Sequence, residues 1–213
     1  MRVDSVNAGQ AELMKLGART VSTGIRKLPV ERAYAGTLGL SGDVVADVEN
    51  HGGLDQALYV YSSEDYAWWA DELGARPEPG TFGENVTLSS YGPEPVRIGD
   101  RFRVGAALLE ATAPRIPCSV FAKRMGERAW VKRFAEARRP GLYMRVLDPG
   151  EVAAGDPVER LDAGSNGHPT VVDLMDVWYD TAPDPELLER LLASPLAERA
   201  RETIEGKLAR ALA

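Results

Sequence analysis

The chain of 213 residues contains one cysteine, Cys118, and two histidines, His51 and His168. A single cysteine excludes an intrachain disulfide, a C-x-x-C dithiol and the cysteine set of an iron–sulfur cluster. No second His or Cys stands at metal-ligand spacing from His51, so no zinc site is expected from protein ligands alone. No segment approaches the roughly 20 consecutive apolar residues that span a bilayer, so no membrane association is predicted. Met1 to Gln10 has no apolar signal core, and the lack of disulfides fits a reducing compartment, so the expected location is cytoplasmic. There is no G-x-G-x-x-G, no P-loop, and no flavin or nicotinamide motif. The net charge of −7 argues against nucleic acid as the partner, because that affinity is built on phosphate neutralisation.

What is present is ordinary for a folded protein with a sizeable core: 44% apolar and 27% charged residues. The length suits one large domain, or one domain and a small second one. The first part reads as short strands separated by turn residues: Val3 to Val6, Arg19 to Lys27, and the apolar run Ala57 to Tyr61. A helix is expected from Ser62, its N-cap, to Gly74, with Tyr66, Trp69, Ala70 and Leu73 on one packing face. Further strands are expected at Val96 to Ile98, Phe102 to Val104, Ala107 to Thr112, Gly141 to Leu147 and Val158 to Leu161. Gly99-Asp100 reads as a hairpin turn. Glu127 to Glu136 reads as a helix. This pattern predicts a mainly β, α+β fold of barrel or sandwich type.

Ala163 to Gly167 reads as a linker, dividing the chain into residues 1–162 and 168–213. Beyond it three helices are expected: one capped by Thr170 with Asp173 in the capping-box position and ended by Pro183, one opened by Asp184-Pro185, and one after Pro195. Three short helices can imitate a DNA-binding module, but residues 165–213 hold nine acids and five bases, the wrong sign for DNA. They read instead as a packing or partner-docking appendage.

The basic residues are concentrated elsewhere. Residues 112–145 carry nine bases and two acids, a basic block in an acidic chain that points to a local anion site. It includes Ala113-Pro114-Arg115-Ile116-Pro117-Cys118, where two prolines stiffen the mount of the only thiol. A lone cysteine is either a small buried hydrophobe or a working thiolate, which Arg115, Lys123 and Arg124 would favour. Upstream, Thr23-Gly24-Ile25-Arg26-Lys27 sets two bases beside a glycine able to turn backbone N–H groups toward an anion. In Asn50-His51-Gly52-Gly53-Leu54-Asp55-Gln56, tandem glycines permit close approach to a ligand; His51 there either braces the loop or acts on or orients a ligand. In Phe82-Gly83-Glu84-Asn85, Asn85 either recognises a heterocycle edge or ties down its turn. These features together fit a single thiolate ligating a metal that a bound, phosphate-bearing cofactor supplies.

Taken in order, these clusters resemble the molybdenum cofactor sulfurase C-terminal (MOSC) domain family, in the branch that includes the 6-N-hydroxylaminopurine resistance protein. The resemblance runs from Thr23 to Leu161, through Thr23 to Val30, Gly39 to Asp43, His51 to Ala57, Phe82 to Asn85, Ile98 to Asp100 and Pro114 to Cys118. It implies a β-barrel core with peripheral helices, followed by the three-helix appendage. It implies binding of the molybdenum cofactor, molybdopterin, with Cys118 as metal ligand and, with His51, as catalytic residue. Arg26 and Lys27 are then candidates for the pterin phosphate; Gly52, Gly53 and Asn85 for the pterin or substrate side; Arg115 and Arg145 complete the cofactor-binding set. The implied reaction is reduction of N-hydroxylated compounds such as hydroxylaminopurines and amidoximes, a detoxification of N-hydroxylated bases.

Electrons would come from a separate reductase, for which the C-terminal helices offer a docking surface. Pyridoxal phosphate binding and a homodimer are further properties that the resemblance allows. The alternative is a carrier that binds the cofactor, or holds sulfur as a Cys118 persulfide, without reductase turnover.

Overall fold

Strand β7 (Leu58–Ser62) is buried at every residue, which explains a run with no polar alternation. It lies between β11 (Leu142–Asp148), antiparallel, and β8 (Val86–Leu88), parallel. Parallel pairing requires a crossover, and α1 (Ser63–Leu73) supplies it. Ser62 caps this helix by accepting the Asp65 amide, and Gly74 ends it at φ 70°, as its sequence predicts. The computed structural model describes residues 1–47, 51–161 and 167–212; Asn50 and Ala163 to Asn166, part of the expected linker, lie outside the described residues.

The remaining strands of the large sheet are β1 (Val3–Gly9), β4 (Lys27–Val30), β9 (Arg101–Val104), β10 (Ala107–Ala113) and β13 (Val158–Leu161), in the order β13-β9-β10-β11-β7-β8-β1-β4. A small sheet holds β5 (Arg32–Gly36), β6 (Gly39–Leu40) and β12 (Gly150–Ala153), and β2 (Glu12–Leu16) pairs with β3 (Arg19–Thr23) as a separate hairpin.

The mainly β, α+β architecture is as expected, but the ladder does not close into a fully hydrogen-bonded barrel. Its β13 end meets β1, the strand next to the β4 end, at a single bridge, Arg2–Pro157, flanked by Val3 N to Asp156 O (2.9 Å) and Val158 N to Met1 O (2.9 Å). Pro157 has no N–H to extend a ladder.

Three further expectations are corrected. Val96 to Ile98 is no strand: it makes only the bridge Arg97–Thr170, because the Asp100 carboxylate takes the Arg97 amide (2.8 Å) and closes a turn there. Gly99-Asp100 accordingly turns the chain without a hairpin, since no strand precedes it, and the β9–β10 hairpin turns at Gly105, φ 54°. The expected Glu127–Glu136 helix starts later, as α3 (Trp130–Ala137), and a separate helix, α2 (Ser119–Arg124), precedes it across a turn at Gly126, φ 97°.

Aromatic side chains join these helices to α1. Phe121 and Phe134 meet edge to face at 4.9 Å, and Trp69 lies 5.1 Å from Trp130. The α1 tryptophans therefore serve packing.

The C-terminal helices are α4 (Val171–Tyr179), α5 (Pro185–Leu192) and α6 (Glu198–Ala211). Thr170 and Asp173 form the complete capping box, and Asp184 with Pro185 opens α5. The first helix stops at Tyr179, before Pro183. These helices bury Leu174, Leu188, Leu191 and Ile204 fully and are tied to the sheet: Val171 N donates to Val96 O (2.9 Å), Ala197 N to Thr112 O (3.2 Å) and Glu198 N to Asp55 Oδ2 (3.0 Å). Among the described residues no helix is long and apolar enough to cross a membrane.

Candidate functional site

One cavity of about 910 Å³ opens against the sheet, within the size range of cofactor and ligand sites. Cys118 lines it, half-buried, at the N-cap of α2. The prolines before it carry β10 into α2 through an extended segment with no ladder partner, which delivers the thiol to the cavity wall.

Arg115 lines the same cavity and is buried. Its guanidinium stacks over Tyr59 at 4.9 Å and Phe121 at 5.1 Å. Among the described residues its one hydrogen bond goes to the Tyr143 hydroxyl at a long 3.5 Å, and its Nε has no acceptor. Burial opposes its charge, but the neighbouring Tyr143, Tyr59, Cys118 and Glu84 hold its pKa above the ordinary arginine value. A desolvated cation with so little hydrogen bonding is costly, and it faces a space large enough for an anion.

Tyr143 connects Arg115 to His51, whose Nδ1 lies 3.0 Å from the hydroxyl. Burial, reinforced by Arg115 and Arg199 and opposed by Asp47, pushes the His51 pKa down to about 4, so the ring is neutral near pH 7. Arg115 can only donate, so the Tyr143 oxygen accepts from it and directs its own proton to Nδ1. The neutral ring then carries its proton on Nε2. The loop is held close by Gly52 at φ 88°, where a Cβ would meet Val45 Cγ1 at 2.8 Å.

The cavity floor carries a second polar centre. Lys27 Nζ lies 2.5 Å from both carboxylate oxygens of Asp43, and both side chains are buried. Asp43 also accepts from the Gly9 amide (2.7 Å) and from Asn85 Nδ2 (2.9 Å). Asn85 Oδ1 accepts the Tyr59 amide at 3.1 Å. The Asn85 amide thus ties its turn to β7 while still lining the cavity. Gly24 lines it too, but its φ is not positive. A Cβ there would sit 1.9 Å from Val44 O, so its glycine permits backbones to touch rather than turning N–H groups to an anion.

Six of the nine residues singled out from sequence therefore share the cavity: Cys118, His51, Lys27, Gly52, Asn85 and Arg115. Three do not line it. Arg26 is exposed and pairs with Glu12 at 3.3 Å. Gly53 caps the short turn Leu54–Gln56. Arg145 is held by Asp55 (2.7 Å) and Glu110 (3.1 Å) and reaches Leu196 O, so it fastens the C-terminal helices.

Sequence reasoning missed Tyr143, hidden inside an apolar strand, and Trp178 and Arg199, which reach the cavity from α4 and α6. Asp43 closed one of the quoted clusters without being given a role. Among the described residues no group of three or more His, Cys, Asp or Glu side chains could hold a metal ion, so a metal bound by Cys118 would have to bring most of its ligands.

Residues 47–159 match the model of the MOSC domain. The chain is 33% identical to the uncharacterized protein YflK of Bacillus subtilis over 98% of its own length and 95% of that protein. It is 31% identical to protein YiiM of Escherichia coli, covering 74% of this chain and 70% of that one. A protein named Reductase from Gibberella moniliformis is 30% identical over 74% of this chain, a match that occupies 28% of the fungal protein. The crystal structure of YiiM from Geobacillus stearothermophilus superposes with a TM-score of 0.79 at 26% identity, covering 97% of this chain and 98% of that one.

Proposed function

The chain belongs to the MOSC domain family, in its YiiM-type branch, and from that premise we propose that it is a molybdenum-cofactor-binding oxidoreductase that reduces N-hydroxylated compounds. The observation that carries this reading is the meeting, in one cavity, of the chain's only thiol with a buried guanidinium that has no carboxylate partner among the described residues. A soft metal ligand and an unmatched cation suit a group that bears both a metal and a phosphate. Cys118 would ligate the metal, and Arg115 would face the anionic part of the cofactor, while Lys27, paired with Asp43, holds the cavity floor. When bound, the cofactor supplies two-electron redox chemistry at molybdenum.

The overall change is R–NHOH + 2e⁻ + 2H⁺ → R–NH₂ + H₂O, or its amidoxime equivalent, with the electrons drawn from a separate reductase. The chain's own part is orientation, water exclusion and proton placement. Neutral His51, oriented by Tyr143, holds a proton on Nε2 that can meet an oxygen leaving as water.

The test is expression in cells that make the cofactor, followed by molybdenum content and by benzamidoxime or hydroxylaminopurine reduction with an artificial electron donor. About one molybdenum per chain, lost in Cys118→Ser, together with turnover, is the expected result. Absence of both metal and turnover in the folded wild type refutes the reading.

A further inference from the structure

Two side chains reach the cavity from the C-terminal helices, beyond the end of the matched domain: Trp178 on α4 and Arg199 on α6. Both are fixed. Trp178 follows the buried Val177 on a helix pinned by its capping box, by the Arg97–Thr170 bridge and by the ion pair between Arg138 and Asp176. Arg199 stands two residues after Ala197, whose amide bonds Thr112 O, and one after Glu198, whose amide bonds Asp55 Oδ2. The same two residues, with His51, Tyr143 and Ile116, wall a narrow side lobe of about 30 Å³. The indole therefore stands beside the Tyr143–His51 pair as part of the cavity wall. The C-terminal helices thus contribute to the cavity wall.

We propose that Trp178 is a specificity-determining residue, which selects flat, conjugated N-hydroxylated compounds over aliphatic ones; this rests on the reductase reading above. An indole face rewards a second π-system in offset or edge contact, and gives an aliphatic group of few atoms much less. The electron and proton balance is that of the proposed reaction and involves no step at Trp178, which acts by contact with the substrate alone.

The experiment compares benzamidoxime with acetamidoxime in full-length wild type, Trp178→Ala and Trp178→Phe. Turnover with an artificial donor gives the ratio of kcat/KM for the two substrates; isothermal titration calorimetry gives the ratio of their Kd values without turnover. Trp178→Ala is expected to reduce the aromatic preference roughly two- to tenfold, the range of an aromatic pair, through KM rather than kcat. Trp178→Phe is expected to restore most of it. A selectivity ratio unmoved in Trp178→Ala, an equal loss for both compounds, or no benzamidoxime binding by wild type overturns the proposal. Binding with the expected selectivity but no turnover would support the wall and refute the reductase reading, so the two stand or fall separately.

Discussion

Replacing Asp43 by Asn tests whether the cavity floor is built on a buried ion pair. The side chains of Lys27 and Asp43 are 8% and 2% exposed, and Nζ lies 2.5 Å from the carboxylate. Burial lowers the Lys27 pKa from its ordinary 10.5, and the Asp43 charge and hydrogen bond work against that fall. An amide keeps the shape but loses the charge, and turns an NH₂ toward a site where Gly9, Asn85 and Lys27 all donate. Breaking one half of a buried pair costs about 3–5 kcal/mol, a large share of the roughly 5–15 kcal/mol that holds a domain folded.

Lys27→Met with Asp43→Asn removes the stranded ammonium as well. The double variant is therefore expected to be more stable than Asp43→Asn alone. Urea unfolding followed by tryptophan fluorescence measures both. The direction with pH follows from the depressed lysine: just below 10.5 the unfolded chain binds more protons than the folded one, so stability from Lys27 rises with pH there. In Asp43→Asn that window should extend to lower pH. A cost under about 1 kcal/mol for Asp43→Asn, or a double variant less stable than the single, would refute the reasoning.

Other substitutions probe the same cavity. Arg115→Met exchanges a poorly partnered buried cation for an apolar chain of similar length; stability of the metal-free protein should change by less than about 1 kcal/mol, while molybdenum per chain measured by mass spectrometry falls. His51→Gln should flatten the acid side of the stability curve. With a folded pKa of about 4 against 6.5 when unfolded, wild type loses about 3 kcal/mol from this group as pH falls from 6.5 through 4, and urea midpoints across that range would show the difference. Gly24→Ala puts a methyl group 1.9 Å from Val44 O and should cost about 1–3 kcal/mol, read as a fall in urea midpoint.

Local signals carried most of the fold into the sequence. Ser62, Gly74, Thr170 with Asp173, and Asp184 with Pro185 each act within four residues of themselves, and each cap forms as read. What failed depended on distant partners. Val96 to Ile98 has strand composition, but the nearby Asp100 side chain captures its backbone and Thr170 bridges it only once. Helix α2 was hidden because its six residues, Ser119–Arg124, are too few to show a periodic apolar face. In the site, glycine clusters and the lone thiol were legible because few other residues suit those positions. Tyr143 was not, since its burial in the apolar run that opens β11 looks like that of any core tyrosine until His51 and Arg115 are brought to its hydroxyl across 92 and 28 residues. Arg26 and Lys27 were inseparable by sequence. Strand pairing sends Lys27 inward to Asp43 and leaves Arg26 outside with Glu12.

The distribution of charge gives these placements a common reason. The chain is acidic overall, and many of its basic side chains are spent on structure: Arg145 on Asp55 and Glu110, Arg139 on Asp65, Arg160 on Asp100. Arg115 differs. It is buried, and among the described residues it has stacked rings and the Tyr143 hydroxyl in place of a carboxylate. Packing alone does not account for a guanidinium in that position, because an apolar side chain of the same volume would fill it at lower cost. Lys27 already has its counter-charge in Asp43, so the two cations are not equivalent: one is neutralised by the fold, the other is left for what the cavity receives. An anion entering there would meet a fixed, desolvated donor whose cost has already been met in folding, which is the condition under which a charged contact contributes most to binding.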